Sequence, residues 1–186
     1  MEAITALLQR VSSGKLVDPA PDAETRRLIF SAALRAADHA NLRPWRFLTF
    51  EGDARKQLGN IFAESVAALD STLSPAQSAR YHKMPLRAPL LVLAIARAIE
   101  HPKVPLVEQT VATGAALQNM ITAAYALGVG AYWRTGPMAY HSEVLRRLGL
   151  QENERLIGYL YLGTPSGKPK PLPELPVEDY FKAWDE

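Results

Sequence analysis

No cysteine occurs anywhere in the 186 residues. Disulfides, thiolate metal sites and a cysteine nucleophile are excluded together, and a reducing compartment is the natural setting. Charge of one sign is equally missing: 21 Lys and Arg stand against 19 Asp and Glu, a net +2 dispersed along the chain. Neither nucleic acid nor an acidic membrane is called for as a partner. Long apolar runs are absent too. The longest, around LLVLAIARAI, is too short to cross a bilayer, and MEAITALLQR lacks a basic segment leading into an apolar one. A soluble, cytoplasmic protein is the expectation. The four histidines, His39, His82, His101 and His141, show no H-x-x-x-H or H-E-x-x-H spacing, so no dedicated metal site is expected. The sequence has no G-x-S-x-G elbow, no Walker-A loop and no G-x-G-x-x-G. Its nearest approach, Gly128-Val129-Gly130, leads into a strand pattern rather than a helix. P-loop enzymes and Rossmann dehydrogenases lose their signatures.

What is present is ordinary globular material, 48% apolar and 22% charged, in a length that suits one domain over residues 1–186. Helical spacing of Ile4, Leu7 and Leu8 gives a first short helix. After the turn residues in LVDPAPD (16–22), Asp22 caps a second, expected to run to Ala37, with Leu28, Ala32 and Ala36 as its recurring apolar face. RFLTF (46–50) alternates as a strand, 54–69 returns to helix, and Ser74-Pro75 opens another short helix over 75–84. PLLVLAIARA has the continuous apolar character of a strand buried on both faces. The longest helix follows over 104–127, rich in small residues (Ala112, Gly114, Ala115, Ala116, Ala123, Ala124) and stopped by Gly128. GAYWRT, a short helix at 143–148, and RLIGYLYLG (155–163) as a last strand complete the pattern. The fold class is α+β, a central mixed or mostly antiparallel sheet flanked by helices. Residues 165–186, PSGKPKPLPELPVEDYF and beyond, carry five prolines before Tyr180, Phe181 and Trp184. They read either as an arm laid on a surface, such as that of a second subunit, or as a partly disordered tail.

One stretch crowds unusual chemistry into a connection: DHANLRPWRF, Asp38 to Phe47, sets an imidazole, an amide, two guanidiniums and an indole where a helix hands over to a strand. Elsewhere, basic and hydroxyl side chains stand at element ends: Arg10-Val11-Ser12-Ser13 after the first helix, Arg35 late in the second, and Trp133-Arg134-Thr135 closing a strand. Arg beside Ser suits a phosphate, a planar fork next to a neutral donor. Each residue also has a plain reading: Arg10 against a helix C-terminus, Arg35 paired with a surface carboxylate, Trp133 in the core.

Four blocks in this order, LLQRVSSGKL, LRAADHANLRPWRF, EQTVATGAALQNMITAAYALGVGAYWRTG and IGYLYLGTP, give the sequence a resemblance to the nitroreductase family of FMN-dependent NAD(P)H oxidoreductases over essentially the whole chain. It looks closest to the small YdjA-type branch. The resemblance implies an intertwined homodimer with FMN at the interface, touched by both subunits, and NADH or NADPH as co-substrate. Carried over by position, Arg10, Val11 and Ser12 match the flavin-phosphate contacts, Arg35 and His39 match flavin contacts of the small branch with His39 from the opposite subunit, and Trp133, Arg134 and Thr135 lie along the flavin. Ala123, Ala124, Tyr125, Ala126, Leu127 and Gly128 match the nicotinamide-nucleotide side. Two departures stand out: Val11 where many members have a charge or hydroxyl, leaving the phosphate more dependent on Arg134, and Asp38-His39 and Arg43 in place of the usual Pro-Ser and Gln. Asn41, Arg43 and Trp45 are then the frame of the loop. The implied activity is ping-pong hydride transfer through the flavin to nitroaromatics, quinones or similar acceptors, needing no acid-base dyad from the protein, with Arg10 or Arg35 as candidates to favour the reduced cofactor. A flavin-sequestering dimer with little turnover, and a dimer that has lost FMN, are the competing readings. For the acceptor side, residues 70–88, with Tyr81, His82 and Met84, either contribute or simply pack their helix.

Overall fold

The computed structural model describes residues 1–70 and 72–184. In chain order it runs α1 (Ala3–Gln9), β1 (Leu16–Val17), α2 (Ala23–Ala33), β2 (Trp45–Glu51), α3 (Asp53–Ala67), α4 (Pro75–Lys83), β3 (Leu90–Arg97), α5 (Leu106–Ala126), β4 (Gly130–Arg134), α6 (Ser142–Arg147) and β5 (Glu154–Pro165). Short 3-10 turns lie at His39–Asn41, Met84–Arg87, Pro137–Ala139 and Val177–Asp179. The sheet order is β1-β5-β3-β2, with β4 also paired to β5, and every pairing among the described residues is antiparallel. The expected α+β class holds, in its antiparallel form. Among the described residues, no helix is long and apolar enough to cross a membrane.

Side-chain alternation on β3 divides the interior in two. Leu91, Leu93 and Ile95 point to one face, where they meet Leu58 and Phe62 of α3, Val144 of α6 and Tyr159 and Tyr161 of β5. Leu90, Val92 and Ala94 point to the other, where Ile29 and Ala33 of α2 and Ala116, Leu117, Met120 and Ala124 of α5 cover them. Helices therefore sandwich the sheet, which is why LLVLAIAR is apolar at every position rather than at alternate ones. Each such leucine or isoleucine, removed from water, contributes about 1.5–3 kcal/mol.

Capping follows the sequence closely. The Asp22 carboxylate accepts the Thr25 N–H at 2.8 Å to start α2, and Ser74 with Gln77 forms a reciprocal capping box on α4. Three expectations are corrected. The second helix stops at Ala33, not Ala37, because the Leu34, Arg35 and Ala36 amides turn back to carbonyls only three residues earlier and Asn119 of α5 donates to the Ala32 carbonyl. Its buried face is Ile29 and Ala33, one position on from the stripe expected at Leu28 and Ala32; Leu28 is 42% exposed. The Leu16–Val17 pair has only the sequence character of a turn; it is a strand through its register with Thr164 and Pro165.

Edge strand β2 is tied across β3 to β5 by one buried ion pair. Arg46 donates Nε and Nη2 to the two carboxylate oxygens of Glu154, both at 2.6 Å, and the Gln151 amide donates to the same carboxylate. Hydrogen bonds from Arg46 hold the Glu154 carboxyl below its ordinary value, outweighing the burial that pushes it up. Arg46→Met leaves that carboxylate buried and unpaired; the expected loss in urea unfolding is about 3 kcal/mol, the low end for a buried pair because the guanidinium is partly solvated. The folded carboxyl binds its proton less tightly than the unfolded one, so the stabilisation is complete above the ordinary value of 4.5 and is lost as pH falls below it. Melting followed from pH 7 to pH 3 in wild type and Glu154→Gln checks the sign: the variant's melting temperature falls less steeply.

Candidate functional site

Backbone pairing brings the segment after α1 against the start of β4. The Ser13 amide donates to the Ala131 carbonyl at 2.9 Å, and the Ser166 amide donates to the Lys15 carbonyl at 3.0 Å. Between these segments and the C-terminal end of α5 lies a cavity of about 370 Å³, walled by Val11, Ser12, Ser13, Tyr125, Gly128 and Lys168 among others. Its lining residues include hydroxyl-bearing Ser12, Ser13, Tyr125 and Ser166 and basic Lys168 beside apolar Val11, Val129, Pro165 and Pro169, and none of them is acidic. That donor set suits an anion. Gly130 belongs to the wall by necessity: a Cβ there would sit 2.5 Å from Leu16 Cδ2 and about 3.0 Å from Pro165.

Of the residues expected to bind phosphate, Val11 and Ser12 stand in this cavity, and half-buried Arg10 immediately precedes them as the C-cap of α1. From the six-residue block at the end of α5, Tyr125 and Gly128 line the cavity. Ala124 is fully buried in the core against the sheet, Ala123 packs against the same core, Ala126 is half-buried and Leu127 is exposed. Gly128 has a φ of +75°, the left-handed turn by which α5 ends and the chain reverses into β4. Lys168 and the Ser166-Gly167 turn are additions that the sequence does not single out; the KPK pattern in the tail is the available signal, masked by the prolines around it.

Along β4, neighbouring side chains point to opposite faces. Arg134 lies over the Tyr132 ring, its Cζ 3.8 Å from the ring centroid and 5.8 Å from that of Tyr161, with Lys170 Nζ 5.1 Å from the Tyr132 centroid. Burial pushes the Tyr161 phenol up while the Arg87 and Arg134 guanidiniums draw it partly back, so it stays neutral near pH 7. Trp133 turns the other way. The β3–β5 register shifts between Ala94 and Ile95, so that Ala94 pairs with Gly158 and Ile95 with Leu156 and Ile157 is left over as a bulge. Trp133 Nε1 donates to the Ile157 carbonyl at 3.3 Å, and the indole lies where a Gly158 Cβ would be. The indole is thus a half-buried strut, and exposed Thr135 follows at the strand end.

The remaining candidates stand elsewhere. Arg35 is exposed just beyond α2. His39 is exposed on the following turn, its Nδ1 2.7 Å from Glu108 Oε2 in the first turn of α5. Glu108 and Tyr125 are separated by about 25 Å of helix at 1.5 Å rise per residue, more than FMN spans. One copy of the chain therefore does not bring His39 and Ser12 to the same cofactor. On the α4 side, Tyr81 and Met84 pack on the core beside Phe62, and His82 is exposed with Nδ1 3.1 Å from Asn60 Oδ1. Among the described residues, no three His, Asp or Glu side chains cluster to hold a metal.

The sequence model of the nitroreductase family matches residues 7–164. YdjA of Escherichia coli, which bears a provisional NAD(P)H nitroreductase name, is 36% identical over 168 residues, 90% of this chain and 91% of the relative. A provisionally named NAD(P)H nitroreductase of Haemophilus influenzae is 32% identical over 88% of this chain and 89% of its own. Among solved structures, a nitroreductase-like family protein from Bacillus cereus superimposes with a TM-score of 0.83 at 21% identity, covering 100% of this chain and 97% of that one; this likeness concerns the fold. A protein from Desulfovibrio desulfuricans, provisionally named a nitroreductase and solved in complex with FMN, has a TM-score of 0.70 at 27% identity, covering 98% and 99%.

The Trp133 strut is directly testable. Gly158→Ala forces the indole out of its position over the bulge; overpacking of this kind costs about 1–3 kcal/mol. Lower stability together with red-shifted tryptophan emission is the expected result, and emission that does not move would show that Trp133 is not held there.

Proposed function

Because the chain belongs to the nitroreductase family, we propose that it is an FMN-dependent NAD(P)H oxidoreductase of the cytoplasm that works as a homodimer and reduces nitroaromatics, quinones or similar flat acceptors. The observation that carries this reading is the cavity between residues 11–14, 166–168 and the end of α5, whose lining holds hydroxyls and Lys168 and no acidic side chain. It fits a phosphate ester: hydroxyls and an ammonium converge with no acid to compete. Ser12 and Lys168 are assigned to the phosphate, with Arg10 entering from the end of α1 and the Val11 backbone beside them. Trp133, Arg134 and Thr135 are assigned to the flavin ring, Arg134 bringing a cation already oriented by Tyr132. Tyr125 and Gly128, with the rest of the 123–128 turn, are assigned to the nicotinamide nucleotide.

Bound FMN supplies the redox chemistry, accepting hydride from the nicotinamide and passing it to the acceptor. The chain's own residues bind and orient. No side chain has to move a proton in this scheme, in keeping with the absence of an acid-base dyad at the cavity. His39 serves the flavin of the other copy, because the length of α5 keeps it from its own, and Arg35 is assigned to a flavin contact as well. Apolar side chains left bare on one chain support the dimer: Ile4, Leu7 and Leu8 of α1, Val107 and Val111 of α5, and Leu175, Val177, Tyr180, Phe181 and Trp184 of the tail. The tail from 165 to 186 is assigned to the partner's surface; its last two residues lie outside the described part.

Two measurements test the proposal. Purified protein is expected to be yellow, and anaerobic NADH or NADPH should bleach the flavin within seconds. Yellow protein that neither nucleotide bleaches would indicate a sequestering dimer, and colourless protein that takes up no added FMN would overturn the reading. Removing residues 171–186, which spares β5 and Lys168, should give monomer or aggregate on gel filtration with loss of FMN; an intact yellow dimer would release the arm from that role.

A further inference from the structure

The connection from α2 to β2 is built in an unusual way. Ala40, Asn41 and Arg43 have φ of 61°, 54° and 50°, three left-handed residues within four positions and none of them glycine. Each such conformation is unfavourable for an L-residue. The loop is nevertheless fixed at both ends. Asp38 Oδ2 accepts the Arg43 N–H at 2.6 Å, and the Asn41 amide donates to the Asp38 carbonyl. Beyond it, the Pro44 carbonyl accepts both the Thr113 hydroxyl of α5 at 2.9 Å and the Arg97 amide of β3 at 2.8 Å. Within this held loop, His39 is the side chain that reaches α5, where Glu108 meets it at 2.7 Å.

We propose that Glu108 is the positioning residue for His39, locking the ring in the tautomer that carries its hydrogen on Nδ1 and leaving Nε2 alone to meet the flavin of the partner copy. The inference rests on the reading of His39 given above. A carboxylate only accepts hydrogen bonds, so the nitrogen 2.7 Å from it is a donor. One ring atom is therefore spent inside the chain, and the other faces outward with a fixed direction. Glu108 also stands where a carboxylate is stable, because the first turn of a helix favours one through its unpaired amides and the positive end of the dipole. Without it, an imidazole that is more than half exposed divides among rotamers and between tautomers, and presents the required nitrogen only part of the time. A carboxylate behind a ligating imidazole orients metal-bound histidines in the same manner. Here the strained backbone brings the ring to α5, and Glu108 sets its rotation.

FMN affinity, measured by flavin fluorescence quenching on the full-length dimer, and 15N NMR of the His39 ring test this together. His39→Ala is expected to weaken FMN binding about tenfold or more, as loss of a hydrogen bond to a charged or strongly polar group does. Glu108→Ala should weaken it to a similar degree, shift the ring signals away from the Nδ1–H tautomer, and have no further effect in the His39→Ala background. Glu108→Gln, whose amide oxygen can still accept from Nδ1, should restore both affinity and tautomer. Unchanged affinity in His39→Ala would overturn the flavin role of His39 and the proposal with it. If His39→Ala weakens binding but Glu108→Ala is silent, or costs as much again in the double variant, the flavin role stands and the positioning role of Glu108 falls.

Discussion

β5 is the constraint on which the rest of the structure depends. Its twelve residues pair with β3 along one edge, with β4 along the other and with β1 at the far end. The N-terminal loop, the strand that leads to Arg134, and the Lys168 turn are all placed by their register on this one strand. A central strand with both faces covered tolerates almost no polar side chain. The exception at its start, Glu154, is tolerated because Arg46 binds both of its oxygens. The cavity is therefore a consequence of register: it opens where β5 has finished pairing and the chain turns away at Ser166 and Gly167.

Much of this is legible in the sequence, for identifiable reasons. β3 is clear because burial on both faces leaves an uninterrupted apolar run, α4 because Ser74 and Pro75 spell a helix start, and the end of α5 because Gly128 can turn left-handed. The departures have causes of the same kind. β1 consists of two residues, too few for any periodicity, and exists only by pairing with a strand about 150 residues later. The end of α2 falls short of its pattern because Asn119, far along the chain, takes a carbonyl that helix propensity alone leaves in play.

The candidate site is legible as a set of residues and illegible as an arrangement. The resemblance singles out the 10–12 segment, the Arg35–His39 region, the 123–128 turn and Trp133–Thr135, and the chain does bring the first and third of these to one cavity. It cannot be read from sequence that α5 holds His39 most of a helix length away, or that Trp133 and Arg134, adjacent in sequence, serve opposite faces of the sheet. The first follows from helix rise and the second from strand alternation, but both require knowing which element packs on which. Lys168 escapes for a related reason: in a proline-rich tail a lysine has no period to mark it, and only the fold carries it to the cavity.

The bulge at Ile157 has a consequence for folding fidelity. An antiparallel pair can in principle slide by one residue, inverting which side chains face the core. β4 is short and β5 long, so the pair is open to such an error. A slip by one residue would set Arg134 toward the apolar layer around Met120, expose the indole, and leave the Ile157 carbonyl without its donor. These three costs fall together, so the correct alignment is separated from its neighbours by a gap and not by a gradient. The irregular residue in β5 thus acts as a detent, a single position where the strand clicks into place.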